Sequence, residues 1–169
     1  MKVKALIITA LLCLAIMEKS HAFGLGAQLN FSTGGVFAPG ASLLLSPNNK
    51  THLALNWYLA SEKENIVGLT LDRIFIPTPN SNFNAGIVNF TLGAGAFANV
   101  IFNRDSDSDN NIDFEGGVRI PVGININLGH DAFEIFTHVA PSFGVSFLPE
   151  LSFSKPFFPI ALGIRIWFR

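Results

Sequence analysis

The side chains able to do chemistry in this 169-residue chain form a spaced set: Asp72, Glu115, Arg119, Glu134, His138 and Arg165, with His52. Carboxylates, guanidiniums and imidazoles held in apolar surroundings must pair with one another, because an isolated charge taken out of water is far too costly to persist. Such a set can serve as a structural ion-pair network, as a proton or ion path, or as a gate. Nothing accompanies it that points to covalent catalysis. No Ser/His/Asp spacing stands out, and His52 and His138 fall on separate segments with no clear nucleophile beside them. The single cysteine, Cys13, lies in an N-terminal apolar stretch, and no glycine-rich loop sits between a strand and a helix. The expectation is a protein with no catalytic residues that is not an enzyme.

The elements that must position these residues are strands. From Phe114 to Leu128 every even position is apolar or glycine, while the odd positions read Glu115, Gly117, Arg119, Pro121, Gly123, Asn125 and Asn127. A period of two places successive side chains on opposite faces of a strand. A strand of this length with one wholly oily face is suited to lipid. Eight strands are expected, at Phe23–Phe31, Gly40–Ser46, Thr51–Ala60, Ile66–Ile76, Gly86–Asn103, Ile112–Leu128, Ala132–Phe147 and Phe158–Arg169. Breaks at Thr33-Gly34-Gly35, Pro47-Asn48-Asn49, Pro77-Thr78-Pro79-Asn80 and Pro156 separate several of them.

Split by parity, the strands give one row rich in Leu, Ile, Val and Phe, in which Arg73 is the one charged residue. Arg or Lys at mid-bilayer costs roughly 2–4 kcal/mol, so lipid would impose this purity. Arg73 stands near a strand end, from which its head can reach the interface. The opposite row holds Gln28, Asn30, His52, Asn56, Asp72, Asn99, Glu115, Arg119, Glu134, His138 and Arg165 with many glycines. Arg119 is expected to pair with Glu134 on the neighbouring strand. A soluble lipocalin-like ligand-binding barrel remains an alternative, but it would carry the reverse pattern, apolar inside and polar outside.

Composition agrees with a membrane barrel. Charged residues are 14% of the chain, against about 25% in a typical soluble domain. Residues 1–22 read as a cleaved signal peptide. Lys2 and Lys4 precede the apolar stretch Ala5–Met17, and Ser20-His21-Ala22 is a small-x-small pattern that places cleavage after Ala22. The barrel domain is then 23–169. Without the leader, basic residues fall from 11 to 8 and acidic ones from 12 to 11, so the net charge moves from −1 to −3. No basic patch is left, which argues against nucleic acid as a partner.

Between the fifth and sixth strands Asp105, Asp107 and Asp109 alternate with serines. Carboxylates at alternate positions resemble the first half of an EF-hand calcium loop, and Ile112 fits its eighth position. Asn110 stands where that loop needs Gly, and Gly116 where it needs a bidentate Glu. Both readings, a calcium site and a solvated hairpin tip, are carried forward; no other cofactor is expected. The connections at Pro47–Lys50 and Gly129–Asp131 are short, whereas Arg104–Asn111 and Leu148–Phe157 are long. Short turns belong to the periplasmic end of such barrels and long loops to the outside, which puts both termini in the periplasm.

The whole mature chain resembles small eight-stranded outer-membrane barrels of the OmpA-transmembrane-domain and OmpX type. Three segments are similar to a poorly characterised spirochaetal family of such barrels: Gly117–Gly123, Glu134–Pro141 and Leu162–Phe168. The resemblance implies an all-β, eight-stranded antiparallel up-and-down transmembrane barrel in the bacterial outer membrane, monomeric and bathed in its lipid. The closing aromatic strand, with Phe168 penultimate, resembles the signal read by the outer-membrane insertion machinery. Two functions follow as expectations: a membrane anchor displaying surface loops to host or envelope ligands, or a narrow channel or OmpW-like transporter of small or apolar solutes. Migration in detergent gels is expected to be heat-modifiable, and the 104–111 loop to be cut by protease at the cell surface. A chain that stays soluble without detergent would overturn the membrane reading.

Overall fold

The computed structural model describes residues 23–32, 38–48, 50–59, 64–76, 88–103, 112–128, 132–147 and 151–168. The leader with Ala22, and the acidic stretch with Asp105, Asp107 and Asp109, lie outside the described residues.

Five strands follow in order, each antiparallel to the next: β1 (Phe23–Ser32), β2 (Ala38–Asn48), β3 (Thr51–Leu59), β4 (Glu64–Ile76) and β5 (Val88–Asn103). The regular stretch that begins at Ile112 forms one stave in two pieces, β6 (Ile112–Arg119) and β7 (Val122–Leu128), both paired with β5. The next stave is likewise divided into β8 (Phe133–Val139) and β9 (Ser142–Ser146), which pair with β7 and β6. Both interruptions contain a proline, Pro121 and Pro141, which cannot donate to the ladder. The backbone closes around them: Gly93 N–H donates to the Pro121 carbonyl at 2.9 Å, and Ile120 N–H to the Pro141 carbonyl at 3.0 Å.

The last stave starts earlier than its sequence indicates. β10 (Ser152–Phe153) already pairs with β9, Phe157 bridges Ser142, and β11 (Ile160–Phe168) pairs with β8. The expected loop Leu148–Phe157 is therefore partly stave. Pro156 and Pro159 end the alternation there but let the pairing resume on either side. β11 then pairs with β1 from Phe23↔Phe168 to Phe31↔Ile160, which closes eight staves into an antiparallel barrel. From Gly24 to Phe31 and from Ile160 to Ile166 the joined strands are paired on both sides, the condition for crossing a bilayer with strands.

Parity sets the two faces as expected. Leu43 is 68% exposed while its neighbour Leu44 is 5% exposed. The same alternation runs through Leu53–Leu59 and Ile160–Phe168. The outward face is apolar, and the buried Gln28, Asn30, Asn56, Asp72, Arg119, Glu134 and Arg165 face inward together with Leu44, Phe97 and Phe136. This is the inverse of a soluble ligand-binding barrel. Between β2 and β3 the Asn48 side chain accepts the N–H of Lys50 at 2.9 Å and of Thr51 at 2.8 Å, fixing a tight turn beside the chain's first described residues.

Inward glycines let larger side chains cross the narrow interior. Gly95 lies between Asp72 and Arg119 in register, and a Cβ there would run into Asp72 Oδ1 and the Leu71 carbonyl. The outward Gly116 differs, since its nearest neighbours to an added Cβ are at 3.4 and 3.5 Å. Gly95→Val is expected to lower unfolding stability by roughly 1–3 kcal/mol, as overpacking does. Gly116→Val should stay within about 0.5 kcal/mol of the parent. Urea titration read by gel mobility compares the two.

Candidate functional site

The charged residues meet in the half of the barrel that holds the chain's ends. Glu134 and Arg165 are direct cross-strand partners of β8 and β11, both inward. Arg165 Nη1 donates to the two Glu134 oxygens at 3.2 and 3.1 Å, and both side chains are buried. The carboxylate also accepts the Trp167 indole N–H at 2.7 Å and the Asn125 amide at 3.1 Å. Several donors on one buried carboxylate supply the satisfaction that makes such a charge tenable.

Above this pair the lumen is filled by stacked planes. The Arg165 guanidinium lies 4.9 Å from the Phe136 ring centre and 5.3 Å from that of Trp167. Phe136 in turn stacks on His138, centroids 5.8 Å apart and planes 7° from parallel. His138 Nε2 is 3.2 Å from Arg119 Nη2, and a guanidinium has no acceptor, so the imidazole nitrogen accepts. Arg119 Nε lies 3.2 Å from Asp72 Oδ1, across the space left by Gly95. The two atoms attract as charges without hydrogen-bond alignment. His52 contacts Arg165 from the far wall, with ring nitrogens 3.3 and 3.4 Å from Nη1 and Nη2.

Arg119 does not pair with Glu134. Across the wall it stands opposite Ser142, eight residues beyond Glu134 on the same stave, while Glu134 stands opposite Arg165. The face was legible from alternation; the register that picks the partner was not. Glu115 sits nearer the loop end and accepts from Asn99 at 3.2 Å, apart from the main group. Arg73 is outward and donates to Thr51 Oγ1 at 2.8 Å, at the first residue of β3, in keeping with its place near a strand end.

Sequence reasoning missed three contributors. Trp167 is inward by the same parity as Arg165, and Phe136 by the same parity as Glu134, but neither is polar or charged like the residues that marked the inward row. Ser42 belongs to a neutral ladder in which Gln28 donates to Asn30 at 2.7 Å, Asn30 to Ser42, and Ser42 to Asn56 at 2.6 Å. Its position between Ala41 and Leu43 carried the signal.

Two voids of about 30 and 20 Å3 remain among these groups, and both are lined by His52, Asp72, His138 and Arg165. Each has room for about one water. Among the described residues no group of three His, Cys, Asp or Glu is arranged to hold a metal ion.

Removing either Glu134 or Arg165 leaves the other charge buried, so Glu134→Gln or Arg165→Met alone is expected to cost about 3–5 kcal/mol. The double variant should lose clearly less than the two losses added together. A double-mutant cycle on urea unfolding measures the difference, and strict additivity would remove the pair from the account.

No curated protein matches the chain. Solved structures similar to it include the N-terminal β-barrel domain of Pseudomonas aeruginosa OprF, at 16% identity over 88% of this chain and 98% of that one, TM-score 0.49. Neisserial surface protein A is similar at 12% identity over 86% and 95%, TM-score 0.47. A major outer membrane protein of Thermus thermophilus is similar at 12% identity over 87% and 99%, TM-score 0.47. At these values the functional reading stands on the lumen and the wall, not on these likenesses. A family model described as "Protein of unknown function (DUF3996)" matches residues 52–168, and with it most of the barrel wall, so the chain belongs to that family.

Proposed function

We propose that the chain is a bacterial outer-membrane barrel that acts as a membrane anchor for surface loops, with a sealed lumen and no catalytic role. The observation that carries this reading is the filled interior: a column from Trp167 through Arg165, Phe136 and His138 to Arg119, with voids of about 30 and 20 Å3 beside it. A hydrated pore needs a continuous file of water, and single-water pockets walled by paired charges do not make one. The closed wall and outward apolar surface support placement in lipid. The tight Asn48 turn lies at the end that holds Phe23 and Phe168, which supports periplasmic termini and outward-facing opposite loops. The loops, including the acidic 104–111 stretch, then face host or envelope ligands from a monomeric barrel.

Purified protein in planar bilayers is expected to give no single-channel steps. Reproducible steps that vanish when Arg119 or Arg165 is replaced would overturn the sealed-anchor reading and favour transport.

A further inference from the structure

The staves are unequal, and the inequality is confined to one side. β1, β2 and β3 have 10, 11 and 9 residues. That matches the roughly 9–11 tilted residues that cross an apolar band about 25 Å tall. β5 has 16 residues, and its partner stave runs from Ile112 to Leu128. At about 3.3 Å per residue and a tilt of about 40°, such staves rise about 40 Å. The excess lies at the end away from the termini, because Leu128 pairs with Phe133, Phe133 with Ile166, and Phe23 with Phe168, so the opposite ends coincide.

The outward row stays apolar through the whole excess. On β5 it ends at Val100 and Phe102, on β6 at Phe114 and Ile112. The adjoining hairpin adds Phe147, Leu151 and Phe153, the last two 75% and 91% exposed. Phe114 and Phe147 pack with ring centres 6.1 Å apart. On β5 and β6 no charged side chain interrupts this outward row from the centre of the wall to its tip, while on the last stave Lys155 is exposed two residues from Phe153. A protein-binding surface of this area would carry polar groups at its rim; this one is continuous with the lipid-facing wall and ends in aromatic rings, the residue type that marks a bilayer interface.

We infer that the upper part of β5, β6, β9 and β10 is a lipid-wetted ridge: its occupant is the acyl and interfacial region of the outer leaflet, met by a lean of the barrel or a local thickening of the bilayer. The inference rests on the membrane reading above. Nitroxide labels report on the two separately. Leu43→Cys at mid-wall on the short side, and Phe114→Cys and Phe153→Cys on the ridge, are labelled one at a time in a Cys13→Ser background and reconstituted in phosphatidylcholine vesicles. At all three, oxygen is expected to collide with the label several-fold more often than a water-soluble nickel chelate does. If position 43 shows that preference and both ridge positions show the reverse, the ridge stands in water or against a protein and the inference fails. If position 43 itself prefers the chelate, the membrane reading fails.

Discussion

A wall one strand thick gives every side chain only two destinations, and the rest of this protein follows from that restriction. The backbone N–H and C=O groups of the wall are taken up by neighbouring staves, and β1 and β11 close the sheet on itself from Phe23↔Phe168 to Phe31↔Ile160. What remains is to assign side chains. Those facing out must be apolar if the surroundings are lipid; those facing in must fill a narrow space without leaving charge unpaired.

The interior meets the second demand by pairing large with absent. Gly95 and Gly163 stand where Asp72 reaches toward Arg119 and where the Phe136 ring crosses toward β1. Space freed by a glycine on one stave is occupied from another. The charges follow the same rule. Glu134 gathers donors from Arg165, Trp167 and Asn125, and Arg119 divides itself between Asp72 and His138. Two carboxylates and two guanidiniums thus balance where solvent cannot. In such a barrel the residues that fill the interior are also those whose loss would strand a charge.

Much of this is legible in the chain alone. Ile164 against Arg165 shows why: when the period is two and one side is lipid, the residue type at each position reports its direction. The closing strand, the inward identity of Asp72, Glu115, Arg119, Glu134, His138 and Arg165, and the marginal place of Arg73 can all be read in that way. Misreadings come where one signal serves two causes. Pro156 looks like loop, yet prolines also interrupt the staves at Pro121 and Pro141 without ending them. Trp167 and Phe136 stand on the inward parity without being polar, and only the structure shows them on either side of Arg165.

The sequence by itself determined the all-β class, the strand number and the face of nearly every strand residue, since alternation is a local property enforced by the surroundings of the whole wall. Only the tertiary structure decided who meets whom. Arg119 and Glu134 occupy neighbouring staves and the same face, yet the stagger of tilted staves sets Arg119 against Asp72 across Gly95 and gives Glu134 to Arg165. Register around a closed barrel is a collective quantity, fixed by summing every strand pairing, and no segment of the chain carries it alone.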